Sequence, residues 1–331
     1  MAIHQRKVLV LGAQGVLGSV LAKTFGEGGW RVERGGRRPE PGVRLVDLDR
    51  PQTLAGALEG VDLVANPVPD ERLAAERVVL ERGASIVNVS AVPAAAGWAL
   101  KREASAPRGL ALIHAGTVPG ITSLVAADLL RRHADTDELE LAFTLSAGGT
   151  SGKGGAGLVH RYLTADRHHE AFRADLGPPF GARVCIEVGP EERGWLSDEM
   201  IAGRRVRLGV YFRERGLQAL FRFLNALRLI GGTPRFVFVA GRARTPDEPT
   251  REPIAEWVAV RRGGELVASR VIRGHGDYRM TAASTVVLGE ALVALRDREP
   301  ELRGVFAPEE LFTLEELRGE LERRSFEIVE R

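Results

Sequence analysis

Three glycines near the start of the chain are spaced like a turn that binds phosphate. Residues 12–18 read Gly-Ala-Gln-Gly-Val-Leu-Gly, between an apolar run at Lys7–Leu11 and a helical pattern. Backbone N–H groups and the positive end of a helix can hold a pyrophosphate where no bulky side chain intervenes. Gly12 permits the tight turn, Gly15 lets the backbone approach the phosphates, and Gly18 lets the helix pack on the sheet. The predicted dinucleotide-binding residues of this turn are Gly12, Gln14, Gly15, Val16, Leu17 and Gly18.

The end of the second predicted strand bears on which dinucleotide would bind. A carboxylate there accepts hydrogen bonds from the ribose hydroxyls of NAD(H), whereas an arginine there pairs with the 2′-phosphate of NADP(H). The strand Arg31–Gly35 runs into Gly36, Arg37 and Arg38 without an acid at the turn. We therefore expect Arg37 and Arg38 to favour NADP(H). A solvated basic turn is the alternative, and Glu33 would argue for NAD(H) if the strand ended earlier.

Three further residues are candidates for protonating or anchoring a substrate. Hydride transfer is the chemistry of a nicotinamide, so the protein mainly positions the reactants and can add a proton donor. His114 ends a predicted inner strand, Lys153 lies in the glycine-rich segment 148–155, and Tyr278 follows a glycine at 276. Lys153 is either a contact for a substrate carboxylate or plain surface. No tyrosine is followed four residues later by lysine, which excludes the catalytic pair of short-chain dehydrogenases.

The composition limits the classes of protein that this chain can belong to. Its 331 residues are 44% hydrophobic, which suggests two domains with substantial cores. The 46 basic and 44 acidic residues nearly balance and alternate in sign, so we expect no nucleic-acid partner. No apolar stretch reaches the length of a membrane span and no leader pattern opens the chain, so we expect a cytoplasmic protein without a membrane partner. Cys185 is the single cysteine, and we expect no metal site.

The order of apolar runs changes partway along the chain. Up to Gly120 short apolar strands alternate with helical patterns, which is typical of a doubly wound parallel sheet. After Gly120 long alternating stretches predominate, and Gly263-Gly264 predicts a tight hairpin. These patterns predict an α/β fold: a Rossmann-like doubly wound parallel sheet with an inserted α+β domain built on a mostly antiparallel sheet.

One helical stretch and one cap complete the pattern. Leucines and phenylalanine at 217, 220, 221, 224 and 227 have helical spacing and predict a helix that faces the core or a dimer partner. An apolar wall for a hydrophobic substrate is the alternative. Thr313 and Glu316 form a capping-box signature at the start of a helix that runs to Arg323.

Several motifs recur in the order found in one family of enzymes. They are the glycine turn, Gly36-Arg37-Arg38, the segments 61–66, 83–90 and 116–121, and weaker matches at 276–279 and 304–309. Together they resemble the saccharopine dehydrogenase-like oxidoreductases, with a good match over residues 5–130.

The resemblance implies how the domains and the cofactor are arranged. Residues 1–119 with 276–331 would form the NADP-binding domain, and residues 120–275 would form an inserted domain for substrate and dimerisation. It places Asn66, Pro67 and Ala91 along the cofactor, at the carboxyl ends of strands. It also implies a nicotinamide in a cleft between the domains, and a homodimer.

The sequence leaves the reaction open between three hypotheses. The first is an NADP(H)-dependent reductase of a small imine or a related unsaturated intermediate. The second is a reductase of carbon–carbon double bonds on a lipophilic substrate. The third is a sensor or scaffold that binds NADP(H) without turnover, because no catalytic pair is visible in the sequence.

Overall fold

The computed structural model describes residues 5–38, 40–90, 94–104, 106–145, 160, 163–164, 166, 168–189, 195–234 and 252–331. The chain forms two compact units. The first contains Met1–Ile121 and Thr281–Phe312, and the second contains Thr122–Met280 and Thr313–Arg331.

The first unit is built on a parallel sheet of short, buried, apolar strands. Its strands are β1 (Lys7–Val10), β2 (Arg31–Gly36), β3 (Val43–Leu45), β4 (Leu63–Asn66), β5 (Ser85–Asn88), β6 (Leu110–Leu112) and β13 (Gly304–Phe306). Their order across the sheet is β13-β6-β5-β4-β1-β2-β3, and neighbours pair in parallel. The order reverses between β1 and β4, which is where open parallel sheets bind ligands.

Helices cover both faces of this sheet. They are α1 (Val16–Glu27), α2 (Pro51–Ala57), α3 (Ala74–Arg82), α4 (Ala94–Glu103), α8 (Asp277–Arg298, whose residues from Thr281 onward belong to this unit) and α9 (Pro308–Leu311). On one face Leu54 and Val79, from α2 and α3, pack in the same core as Leu9 and Ile86 of the strands. Gly289 of α8 lies so close to the sheet that a Cβ there would stand 2.7 Å from Leu63. This part of the sequence-based fold prediction, a doubly wound parallel sheet, is confirmed.

The second unit is built on a sheet that is mostly antiparallel. Its strands are β7 (Glu138–Leu145), β8 (Ala171–Asp175), β9 (Ala182–Glu187), β10 (Arg205–Phe212), β11 (Pro253–Arg262), β12 (Glu265–His275) and β14 (Glu327–Glu330). The order is β14-β12-β11-β7-β10-β9-β8, in which β7 and β10 pair in parallel and the other neighbours pair antiparallel. The predicted hairpin joins β11 to β12, with positive φ at both Gly263 and Gly264 as a tight turn requires.

Helices of the second unit frame this sheet. They are α5 (Ile121–Arg132, from Thr122 onward), α6 (Asp198–Ile201), α7 (Arg215–Ala226), a short 3-10 turn (Ile230–Gly232) and α10 (Leu314–Arg323). Thr313 caps α10 as predicted, because its hydroxyl accepts from the N–H of Glu316 and the Glu316 carboxylate accepts from the N–H of Thr313.

The C-terminal residues differ from the sequence-based division. Residues 313–331 were assigned to the cofactor domain, but they lie in the second unit because β14 pairs with β12. Arg270 of β12 has 1% of its side chain exposed and bonds to both Asp128 of α5 and Glu330 of β14. A buried guanidinium needs such partners, so the ion pair between Arg270 and Glu330 helps to hold β14 in the second sheet.

The leucine-rich helix faces the core along only part of its apolar stripe. Phe221 of α7 is buried, as a core-facing helix requires, but Leu220 and Leu227 are 46% and 52% exposed. The side of α7 that faces its own unit carries Gln218 and Asn225, both buried and hydrogen-bonded. The part of the apolar stripe at Leu220 and Leu227 therefore faces away from the core.

Candidate functional site

The glycine turn has the backbone geometry that its spacing predicts. Gly12 follows β1 at φ +56°, a conformation that glycine adopts without strain, and its carbonyl accepts the N–H of Gly15 at 2.8 Å. A Cβ on Gly12 would lie 2.7 Å from Val68. At Gly18 a Cβ would lie 2.1 Å from the Gly12 carbonyl oxygen, so the first turn of α1 contacts the turn backbone directly. Both positions therefore require glycine.

The N-terminus of α1 is open for an anion. Gly15 is the N-cap and is exposed, and no described side chain caps the helix or adds an acid to its first turn. The first N–H groups of a helix have no acceptor within it, and the helix dipole favours negative charge there. Val16 and Leu17 are half-buried, so their N–H groups lie near the surface of the turn. This arrangement suits a pyrophosphate.

The carboxyl end of β2 lies against this turn. Gly36 is so close to Gln14 that a Cβ on Gly36 would stand 2.5 Å from the Gln14 side-chain oxygen. The amide nitrogen of Gln14 is buried and finds no hydrogen-bond partner among the described residues. A buried donor without an acceptor is costly, and a ligand oxygen would satisfy it. Gln14 is thus a second feature of the turn that suits a bound ligand.

The basic residues follow at the place that the sequence predicts. Arg37 and Arg38 are exposed directly after the last residue of β2. Asp47 lies after β3, and its pKa is below the usual range because it accepts hydrogen bonds from the Arg50 side chain and the Asp49 N–H; the charges of Arg50 and Arg37 add to this. The acid near Arg37 is therefore already engaged by protein groups.

Glu33 does not lie at the end of the strand. It pairs with Leu9 in the middle of β1 and β2, and its carboxylate forms ion pairs with Lys7 at 3.2 Å and Arg44 at 2.6 Å. A carboxylate for ribose hydroxyls must stand at the carboxyl end of β2. The position of Glu33 removes the main sequence argument for NAD(H).

A buried polar cluster, which the sequence analysis missed, joins the ends of β4 and β5. The strand register pairs Asn66 with Asn88, and both side-chain amides donate to the same Glu76 oxygen at 2.7 Å. The Asn66 and Asn88 side-chain oxygens accept the N–H groups of Val68 and Ser90, which follow in the two loops. Glu76 is fully buried, and burial is the main cause that raises its pKa.

The cluster includes Asn66, which the resemblance places along the cofactor. The side-chain amide and oxygen of Asn66 are both bonded within the protein. Asn66 therefore shapes the loop after β4. Pro67, the next residue in that loop, is half-buried, and Ala91 lies outside the described residues.

His114 stands just beyond β6 in an unusual state. Its backbone has φ +59°, only 8% of the residue is exposed, and its ring lies 5.9 Å from that of Trp98. Burial lowers the pKa of His114 from 6.5 to about 4, and its Nε2 has no hydrogen-bond partner among the described residues. At neutral pH the ring is uncharged, so it holds one proton and cannot act as an imidazolium acid.

The pKa of His114 predicts a loss of stability in acid. The pKa of His114 is lower in the folded state than in the unfolded state. Its favourable contribution to the free energy of unfolding is therefore complete above pH 6.5 and is lost as the pH falls through 4. Protonation of this one group should remove about 3 kcal/mol from the free energy of unfolding over that interval. Urea denaturation from pH 8 to pH 4 should show the wild type losing that much more than His114→Phe, which keeps a ring but does not titrate. If the free energy of unfolding changed with pH equally in the two proteins, burial would not be lowering the pKa of His114.

The other two catalytic candidates, Lys153 and Tyr278, belong to different parts of the chain from His114. Lys153 and the whole segment 148–155 lie outside the described residues. Tyr278 lies in the first turn of α8, within the second unit, where it is half-buried and has an interaction partner. His114 belongs to the first unit.

The second unit holds another buried polar group that the sequence did not reveal. Glu256 of β11 accepts the N–H of Thr144 at 3.0 Å, and burial followed by the charge of Asp277 raises the pKa of Glu256 well above its usual range. The Thr144 hydroxyl donates to the Tyr211 hydroxyl at 2.6 Å, which in turn donates to the Ala255 carbonyl at 2.6 Å. These contacts fix the adjoining ends of β7, β10 and β11.

The described residues offer neither a cluster of metal ligands nor a helix that could span a membrane. They contain no group of three or more His, Cys, Asp or Glu side chains placed to hold a metal ion. None of their helices is both long and apolar enough to cross a membrane.

Comparison with known proteins identifies the fold. Models of protein families and curated protein sequences gave no match. Among solved structures, saccharopine dehydrogenase (L-Glu forming) from Saccharomyces cerevisiae is similar, with a TM-score of 0.63, 13% identity, and coverage of 98% of this chain and 99% of that chain. An oxidoreductase from Sinorhizobium meliloti aligns over 99% of this chain and 100% of that chain, with a TM-score of 0.43 and 11% identity.

The likeness to saccharopine dehydrogenase covers both units of the chain. At 13% identity it establishes a shared fold. The resemblance read from the motifs is thus confirmed at the level of the fold: a parallel, Rossmann-like sheet combined with a mostly antiparallel one.

Proposed function

We propose that this chain is an NADP(H)-dependent oxidoreductase that reduces a small imine or a related unsaturated intermediate. The observation that carries the proposal is the open N-terminus of α1 beside Gly12 and Gly15, with Arg37 and Arg38 at the end of β2. The fold shared with saccharopine dehydrogenase supports an oxidoreductase, and the motif resemblance is to a family that includes reductases of C=N bonds.

The residues fit a dinucleotide in three ways. N–H groups of the first turn of α1 would bind the pyrophosphate. The unpartnered amide of Gln14 would donate to a phosphate or ribose oxygen. Arg37 and Arg38 would pair with a 2′-phosphate, which an acid in their place would repel. When bound, a nicotinamide supplies the hydride.

The same geometry limits what the protein can add to the reaction. A neutral His114 can donate a hydrogen bond or accept a proton, but at neutral pH it has no second proton to give. We therefore assign it to positioning beside Trp98. Lys153 and Tyr278 stay as candidates for binding or protonating the substrate.

Cofactor preference gives the first test. The wild type should bind NADPH more tightly than NADH, and Arg37→Ala should weaken NADPH by about ten- to 100-fold, the loss expected for one charge-assisted hydrogen bond. NADH affinity should change little, because NADH has no 2′-phosphate. Fluorescence titration measures both. Arg31→Ala is the matched control, since Arg31 is an exposed arginine at the other end of β2. Equal binding of both cofactors by the wild type would disprove the assignment.

Turnover distinguishes the proposal from its rivals. Consumption of NADPH can be followed by absorbance with a cyclic imine and, separately, with a long-chain α,β-unsaturated ester. Reduction of the imine alone supports the proposal. Reduction of the ester alone replaces it with a carbon–carbon reductase. Tight NADPH binding with neither substrate reduced, over a wider panel of each class, favours a sensor.

A further inference from the structure

Large apolar side chains are exposed on α7 and in the three residues that follow it. Leu220, Phe223, Leu227 and Leu229 are 46%, 60%, 52% and 56% exposed. We call these four residues the apolar patch. Scattered exposed leucines are normal on a protein surface, but a cluster on one helix marks a site of interaction.

The orientation of α7 is fixed by polar contacts on its other side. The Gln218 side chain accepts from the N–H of Phe212 at 2.6 Å and donates to the Val184 carbonyl at 2.8 Å. Asn225 exchanges two 2.8 Å hydrogen bonds with the backbone of His169. Turning the helix to bury its leucines would break these four bonds, so the apolar patch faces outward as a stable feature.

The charged residues of α7 and of the segment directly after it have one sign. Arg215, Arg222 and Arg228 are exposed on α7 and just after it, and residues 215–234 contain no aspartate, glutamate or lysine. Within the described part of the chain no ion pair involves these three arginines. An exposed apolar stripe with arginines as its charged residues is typical of helices that lie in the surface of an anionic membrane.

We propose that α7 docks this protein on the surface of an anionic phospholipid membrane, with Phe223 and the leucines in the headgroup–acyl boundary and the arginines against lipid phosphates. Docking of this kind needs no helix that crosses the bilayer. The proposal does not depend on which substrate the protein reduces.

A second copy of the chain fits the apolar patch less well. In a two-fold dimer built on α7, the arginines of both copies would meet without acids from 215–234 to pair with them. The charge favours lipid phosphate as the partner.

Vesicle co-sedimentation tests the proposal with the full chain. Vesicles of phosphatidylcholine alone are compared with vesicles that contain phosphatidylglycerol. We expect the wild type to bind the anionic vesicles at least about tenfold more tightly, since each arginine near such a surface contributes about fivefold. Raising the salt concentration should reduce this preference.

Matched variants separate the apolar and basic contributions. Phe223→Gln with Leu227→Gln should weaken binding by about 100-fold or more, because two buried apolar side chains are lost. Leu45→Gln with Leu266→Gln, which changes leucines that are 44% and 49% exposed elsewhere, should leave binding unchanged. Arg222→Gln should cost about fivefold, whereas Arg31→Gln should cost nothing. Circular dichroism checks that each variant is folded.

Three results would overturn the proposal. One is equal binding to both kinds of vesicle, or to neither. Another is an equal loss of binding in the control variants. The last is a dimer, measured by light scattering, that dissociates when Phe223 and Leu227 are replaced, because the apolar patch would then be a self-association surface.

Discussion

Replacement of Gly15 by valine should abolish NADPH binding, with a loss of more than about 100-fold, while the protein stays folded. Gly15 is exposed at the N-cap of α1 with φ −85° and ψ 168°, an extended conformation that valine adopts readily. A Cβ there would lie 3.2 Å from the Gly12 carbonyl oxygen. The two methyl groups would then fill the space in front of the first N–H groups of α1, where the pyrophosphate must approach.

A glycine on the same helix provides the control. Gly26 is exposed near the end of α1, and a Cβ there would meet only Val32, at 3.8 Å. Gly26→Val should therefore bind NADPH as the wild type does. Fluorescence titration and thermal unfolding of both variants make the comparison. If folded Gly15→Val keeps its NADPH affinity, the turn has only a structural role and the proposed function loses its main support.

Replacement of Glu76 by alanine should lower the free energy of unfolding by about 2–5 kcal/mol, because two buried amides lose their acceptor. Those amides belong to Asn66 and Asn88, which both donate to one Glu76 oxygen. Glu76→Gln keeps an oxygen for them and should lose less than half as much. Urea denaturation measures both. Glu81→Ala, at an exposed position of α3, should change stability by less than about 0.5 kcal/mol.

The pH dependence gives a second check on Glu76. Since burial raises its folded-state pKa, its favourable contribution is complete below the unfolded value of 4.5 and is lost as the pH rises through the folded value. The stability advantage of the wild type over Glu76→Gln should therefore shrink as the pH increases. An advantage that grows with pH would show that the carboxylate is stabilised in its charged form.

Features with a local cause could be predicted from the sequence. The glycine turn, the apolar strands of the first sheet, the Gly263-Gly264 hairpin and the Thr313 cap each depend on residues close together in the chain. Strand β8 does not stand out in the sequence because two of its five residues are alanines, which give little apolar alternation. Helix α7 was found, but periodicity shows only that a stripe exists, and the partners of Gln218 and Asn225 decide where it faces.

The cluster around Glu76 could not be predicted for a related reason. In sequence, Glu76 is an ordinary acid in the first turn of a helix, where it would suit the helix dipole. Its role depends on Asn66 and Asn88, 10 and 12 residues away, which the strand register places side by side.

The way the chain is divided between the two units has a consequence for truncation. Strand β13, at one edge of the first sheet, and β14, at one edge of the second, are both formed by residues 304–330. Without that stretch, β6 and β12 would each expose a row of unpaired backbone groups. Such edges can pair with other chains and lead to aggregation. One short segment therefore protects an edge strand in each of the two sheets.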